Sequence, residues 1–395
     1  MPKSNERPKI IYLDYAASVS PNPSSIHALG VEAKRKLEKA RKDVAGFLGA
    51  RREEIIFTSG GTESNNLAIL GLVYPYPTSP YSRGRSKEGV KIPHIVTTNI
   101  EHPSVFETCK QRGNVTFVEV EKNGVVDPQK IKKSLRSDTV LVSVMYANNE
   151  IGTIQPIKEI AKEIRHYNKL NKKEKQQKII FHTDAVQAVN YLDLNVEKLG
   201  VDMLSLSGSK IEGSGRVGVL FRKKSVPLKP IMRGGDQEGG LRPGTSNLPE
   251  ILKFSSALTL MKKSKDKETK RLTKLRDYFC RVLDTRLSGV QHPTHLINGD
   301  LENRLPNNVS VTFPKIPSDL LVIELSARGI MCSSKSACKS SKAEGSYVIK
   351  AINPKLDPEI GALRFSFGKS TTKADIDYTV RALSEILTKL KKWYN

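Results

Sequence analysis

Cysteine is scarce in this chain. Four residues in 395, Cys109, Cys280, Cys332 and Cys338, stand with no CxxC spacing between any two of them. They build no disulfide framework, which fits a reducing compartment, and no metal site is expected. Long apolar runs are also missing: nothing reaches the ~18 residues of a membrane span. The opening MPKSNERPKIIYLD has neither a signal-peptide core nor the Arg- and Ser-rich amphipathic character of a transit peptide. A cytoplasmic protein with no membrane contact is therefore expected. Acidic residues are outnumbered, 41 Asp and Glu against 65 Lys and Arg, for a net charge of +24. Such a balance raises the question of nucleic-acid binding. Much of it lies in two runs of helical composition, KEIAKEIRHYNKLNKKEKQQK (158–178) and KKSKDKETKRLTKLR (262–276), with few aromatics interleaved. Solvated helix faces are the simpler account, so direct nucleic-acid binding is not expected, although weak attraction to an acidic partner stays open.

What is present has a rhythm. The length suggests two domains, or one large domain with a smaller one attached. From about residue 55 to 222, short runs rich in Val, Ile and Leu alternate with helix-compatible stretches: EIIFTS (54–59), HIVTTN (94–99), TVLVSVMY (139–146), KIIFHTD (178–184), VDMLSLS (201–207) and VGVLFR (217–222). This pattern predicts an α/β fold with a largely parallel sheet covered on both faces. The segment 73–93, rich in Pro, Ser, Gly and Arg, reads as an exposed loop. Beyond about 259 the register changes to a long basic helix, a strand at 309–313, a helix near 317–328, a strand at 362–367 and a closing helix at 373–394. That is a smaller α+β unit, expected to be joined by the N-terminal segment.

Ligands of parallel sheets bind at the carboxyl ends of strands, and polar residues gather there. FTSGGTESNN (57–66) offers a glycine pair and a helix start, either a phosphate site or a plain strand-to-helix turn. After the next strands come His102 in EHPSV, Asn148 and Asn149 in YANNEIG, Asp184 and Gln187 in FHTDAVQ, and Ser207, Ser209 and Lys210 in LSLSGSK. Each has an ordinary structural explanation: a lone histidine is more often structural, and an Asp in that position is commonly a helix cap. Together they make the set that pyridoxal phosphate requires. Its phosphate needs an anion site, its pyridine nitrogen an acid, its ring oxygen a donor, and its aldehyde a lysine with which to form a Schiff base, here Lys210.

Eleven motifs in order carry a closer resemblance: YLDYAAS (12–18), NPSSIHALG (22–30), FTSGGTESNNLAI (57–69), EHPSVFETC (101–109), NNEIGTIQPI (148–157), HTDAVQAV (182–189), SLSGSK (205–210), GGLRPGTSN (239–247), RLPNNVS (304–310), SSKSAC (333–338) and LRFSFGKSTT (363–372). The chain resembles the cysteine desulfurases, within the class V aminotransferase-like, fold-type I group of pyridoxal-phosphate enzymes. The resemblance implies a seven-stranded, mostly parallel large domain over 22–258. It also implies a small α+β domain, made of 1–21 and 259–395, that carries the catalytic cysteine loop. Gly61 and Thr62 would bind the cofactor phosphate with Ser207 and Ser209, and Thr245 would reach the phosphate of the other subunit in a homodimer. His102 would stack on the ring and shuttle protons, Asp184 would pair with the ring nitrogen, and Gln187 with the ring oxygen. Asn149 would lie near that oxygen and the substrate. Arg364, with Asn22 nearby, would hold the substrate carboxylate.

Cys338 aligns with the family's catalytic cysteine, in Ser- and Lys-rich surroundings where Lys335 or Lys339 would favour the thiolate. The other three cysteines sit in more apolar settings and read as structural. The activity implied is conversion of L-cysteine to L-alanine. A persulfide left on Cys338 would pass to a sulfur-acceptor protein serving iron–sulfur assembly or tRNA thiolation. A selenocysteine lyase or another class V relative is the alternative. The chain departs from the family in places: only Val19, Ser20 and Pro21 separate the first two motifs where the family has a helix. Ser209 replaces a histidine, IEGSGRVG follows Lys210 where IYGPKGxG is usual, and Lys335 replaces a glycine.

Overall fold

The structure is a computed structural model and describes residues 10–73, 92–171, 178–288, 295–334, 345–357 and 360–390. Cys338, its flanking lysines and residues 74–91 of the expected loop lie outside the described residues.

Seven strands form the main sheet: β1 (Ile55–Thr58), β2 (His94–Thr98), β3 (Val115–Val118), β4 (Thr139–Ser143), β5 (Ile180–Asp184), β6 (Met203–Ser207) and β7 (Gly218–Arg222). Their order is β1-β7-β6-β5-β4-β2-β3, and only β7 runs against its neighbours. Alternation along each strand explains why both faces must be covered. Phe57, Val96, Val142, Phe181, Leu204 and Phe221 enter one buried cluster, while Ile56, Ile95, Leu141, Ile180, Met203 and Leu220 enter another. Helices α1 (Ala28–Leu48), α2 (Gly61–Leu72), α3 (Pro103–Lys110), α4 (Pro128–Lys133), α5 (Ile157–Asn171) and α6 (Val196–Leu199) supply the cover. The mostly parallel α/β architecture expected from the sequence is present. Strand β3 was not foreseen. It is a four-residue strand paired, among the described residues, with β2 alone, and three of its residues are half-buried, so it lacks the apolar run that marks the others.

A single helix, α7 (Leu248–Ser288), runs 41 residues, about 60 Å at 1.5 Å per residue. Its first third puts Ile251, Phe254 and Leu258 into the main core, and its second half puts Leu272, Phe279 and Leu283 into a separate cluster. That cluster underlies an antiparallel three-stranded sheet of β8 (Leu296–Asn298), β9 (Asn308–Thr312) and β10 (Leu363–Ser366), in the order β10-β9-β8. It is packed by α8 (Ser318–Ser326) and α10 (Lys373–Leu390); α9 (Tyr347–Ile352) instead sends Val348, Ile349 and Ile352 into the main core. The division expected between 258 and 259 thus falls inside α7. Residues 10–27 hold turns only, and Leu13 and Val19 are each 89% exposed. Among the described residues no helix is long and apolar enough to cross a membrane.

Candidate active site

A cavity of about 720 Å³ opens at the carboxyl ends of β4, β5 and β6 and is closed on its far side by β10. It gathers Gly61, Thr62, His102, Asn149, Asp184, Gln187, Ser207, Ser209, Lys210 and Arg364. Residues scattered over 300 positions of sequence are brought together because most sit at or just past a strand's carboxyl end or at a helix start, while Arg364 reaches in from β10.

The turn between β1 and α2 forms one wall. In an α-helix the first N–H groups have no partner inside the helix, and in α2 the first internal bond runs from Ser64 to the Gly60 carbonyl. Gly61 is close against the opposite wall. A Cβ there would lie 2.8 Å from Val186 Cγ2 and 3.4 Å from Ser207 Cβ, so a side chain would fill the cradle. Ser207 Oγ and Ser209 Oγ are 2.9 Å apart across this space. Backbone donors, two hydroxyls and the positive end of a helix dipole fit a phosphate group.

Asp184, the last residue of β5, is 6% exposed. One oxygen accepts from Val186 N at 3.0 Å and the other from Asn65 Nδ2 at 2.7 Å. A buried carboxylate so held suits a cationic N–H partner. His102 caps α3 with Pro103 at the first helical position, and its Nδ1 accepts from Ser104 N at 3.2 Å. Burial, reinforced by Lys210 and opposed by Asp184, lowers the basicity of His102. Lys210 follows β6 in a tight turn that only glycine permits at Gly208, where a Cβ would meet the Gly215 carbonyl at 2.5 Å. Asn190 Nδ2 donates to the Lys210 carbonyl at 2.6 Å and fixes the turn. On β10, Arg364 Nη1 donates to the Asn149 carbonyl at 3.1 Å. The backbone of Arg364 pairs with Ser333 through bonds of 2.7 and 3.2 Å, so the segment leading to Cys338 starts beside this arginine.

Two sequence-assigned residues are not brought to the cavity. Asn22 Oδ1 accepts from Ser24 N at 2.9 Å and closes its own turn before α1. Thr245 lines a separate recess of about 160 Å³ with Ser59 and Arg242. The loop bearing Thr245 is tied down twice. Arg242 Nε lies 2.9 Å from Glu63 Oε1, and Glu238, at φ 51°, meets Arg41 in a two-pronged contact of 2.7 and 2.9 Å.

Sequence reasoning gave no role to Asn65, Ser104 or Glu101. Asn65 lies one helical turn after Gly61, on the same face of α2, and that spacing is the signal that could have found it. Glu101 is fully buried, and its carboxylate accepts from Thr98 Oγ1 at 2.6 Å and Met145 N at 3.1 Å. Burial nonetheless pushes its pKa up to about 8 from 4.5. A raised folded-state pKa means that the protonated acid is tolerated below pH 4.5 and that stability is lost as pH rises from 4.5 to 8. The loss is at most about 1.4 kcal/mol per pH unit. Glu101→Gln should therefore gain in melting temperature over the parent on going from pH 5 to pH 8. A difference that stays constant across that range contradicts the assignment.

The aminotransferase class-V family matches residues 6–379, and the chain belongs to that family of pyridoxal-phosphate enzymes. Its relatives narrow the class. Cysteine desulfurase IscS of Dictyoglomus turgidum is 41% identical over 402 residues, spanning 96% of this chain and 95% of its own length. Cysteine desulfurase IscS of Methanosarcina thermophila is 41% identical over 383 residues, with 96% and 88% covered. Among solved structures, a NifS-like protein superposes with a TM-score of 0.78 at 34% identity, covering 93% of this chain and 92% of that one. The chain is a member of the cysteine desulfurase family.

Proposed function

We propose that this protein is a pyridoxal-phosphate-dependent cysteine desulfurase that converts L-cysteine to L-alanine and carries the sulfur on Cys338 as a persulfide. The observation that carries the reading is the convergence of Lys210, Asp184, His102, the Gly61–Thr62 turn and Arg364 on one cavity. Gly61, Thr62, Ser207 and Ser209 would hold the cofactor phosphate, Asp184 its ring nitrogen, Gln187 its ring oxygen, and Lys210 its aldehyde carbon. Bound there, the cofactor supplies an electron sink for bond changes in the substrate.

The residues of this chain do the rest. Arg364 presents a planar fork to the substrate carboxylate, and its bond to the Asn149 carbonyl sets the angle of that fork. The Lys210 amine would be the base and acid that moves the substrate α-proton. The Cys338 thiolate attacks the substrate sulfur. An S–S bond forms as the substrate C–S bond breaks, its electron pair stays with the carbon fragment, and proton addition completes L-alanine. We further read the enzyme as a homodimer in which Thr245 serves the partner's phosphate; its exclusion from its own cavity and the rigid mounting of its loop support this. The persulfide would go to an acceptor protein of iron–sulfur assembly or a thiolation relay. A cytoplasmic site suits the chemistry, because a reducing compartment keeps the thiol free.

The test uses purified protein. It should show the visible absorbance of the bound cofactor, and with L-cysteine and a reductant it should form alanine and sulfide in equal amounts. Cofactor without alanine or sulfide would overturn the proposal.

A further inference from the structure

Asp184 and His102 come from different strand ends, and two residues outside the roles above connect them. Asn65, 1% exposed on α2, donates through Nδ2 to Asp184 Oδ2 at 2.7 Å and to Ser104 Oγ at 2.9 Å. Ser104 Oγ lies 2.8 Å from His102 Nδ1.

Donor chemistry gives the chain a direction. An ionised carboxylate only accepts, so the nitrogen end of Asn65 must face Asp184; the flipped amide would set oxygen against oxygen. Both amide hydrogens are then spent, one on each partner. Ser104 Oγ accepts from Asn65, which leaves its own proton for His102 Nδ1. That nitrogen also receives the backbone N–H of Ser104 at 3.2 Å. It is therefore unprotonated, and the neutral ring carries its proton on Nε2. The carbonyl oxygen of Asn65 is buried with no hydrogen-bond partner among the described residues. Such an orphan is costly, and an apolar side chain would remove the cost, so what the site retains is the pair of donors on the nitrogen.

We propose that Asn65, acting with Ser104, is a positioning residue that couples Asp184 to His102, holding the first as a carboxylate in one orientation and the second as the Nε2–H tautomer. The assignment rests on the pyridoxal-phosphate reading of the cavity. Its purpose is electrostatic. Asp184 and the buried Glu101 also act on each other electrostatically, as do His102 and Lys210. The two donors of Asn65 hold the hydrogen-bond directions of this set whatever charge enters the cavity. The amide nitrogen of Asn65 cannot be titrated, so it fixes which group is anion and which is donor.

The experiment uses the cofactor-loaded full-length protein with Asn65→Ala and with Asn65→Asp, which keeps the shape. Thermal melting reports folding, and the readouts are the cofactor dissociation constant and the pH titration of the bound cofactor's visible absorbance. Loss of a hydrogen bond to a charged group should weaken cofactor binding about tenfold in Asn65→Ala and move the titration midpoint by about one pH unit. Asn65→Asp, which sets a second carboxyl against Asp184, should move it further. Midpoints that match the parent in both variants would overturn the coupling. Should neither variant fold, Ser104→Ala decides: it leaves the Asn65–Asp184 bond intact and removes a donor to His102 Nδ1. The acid limb of its kcat/KM profile should shift to higher pH, and an unshifted limb overturns the coupling. A parent protein with no cofactor absorbance would sink the cofactor reading itself, an outcome that cannot be confused with either variant result.

Discussion

Cys338→Ser is expected to retain the cofactor absorbance of the parent while sulfide release from L-cysteine falls by at least about 10³-fold, the scale of removing a catalytic nucleophile. Serine is close to cysteine in shape, so the cavity and its lysine are undisturbed. Its hydroxyl, however, is not ionised near neutral pH and cannot accept sulfur. No described cysteine is placed to substitute. Cys109 is fully buried and its thiol is pushed up by burial, reinforced by Glu101. Burial lifts Cys332 to about 11 and raises Cys280 as well. A thiol held neutral is a poor nucleophile. Sulfide and alanine assays alongside the visible spectrum check the prediction. Sulfide release that survives the substitution at parental rate would remove Cys338 from the reaction.

Lys210→Ala carries the second large effect. The anion cradle at Gly61 and Thr62, the carboxylate of Asp184 and the imidazole of His102 all remain, so the cofactor should still enter. With no amine to bond its aldehyde, it should leave on dialysis, and the parental absorbance should be lost. Alanine formation should fall by about 10²- to 10⁴-fold, the usual loss when a positioned acid–base group is removed. The tight turn at Gly208 and the Asn190 bond to the Lys210 carbonyl hold the backbone, so little loss of stability is expected. A variant that keeps both its colour through dialysis and its alanine formation would show that another lysine is the anchor.

The main sheet was legible because most of its strands are short apolar runs buried on both faces, a pattern that needs no tertiary knowledge. Strand β3 escaped because a strand with half-buried residues carries a weak version of the same pattern. The site was legible for a related reason: strand ends of a parallel sheet converge, so polar residues after successive strands share a cavity. What could not be read was contact between elements. Asn65 was visible as a letter in a motif, but its reach to Asp184, 119 positions later, is a fact of packing. Asn22 shows the reverse. Its motif suggested the substrate, whereas its side chain is committed to a local turn two residues on. The boundary expected between 258 and 259 lies inside one continuous helix, where residues 259–271 hold no buried side chain between Leu258 of one core and Leu272 of the other.

The central claim is that sulfur from L-cysteine becomes covalently attached to Cys338. The most direct measurement is the mass of the Cys338 peptide after the cofactor-loaded enzyme meets one equivalent of L-cysteine without reductant. The account predicts a gain of one sulfur atom on that peptide, lost on treatment with a thiol reductant and accompanied by one alanine. Alanine formed with no added sulfur on Cys338, or with the sulfur on Cys109, Cys280 or Cys332, would contradict it.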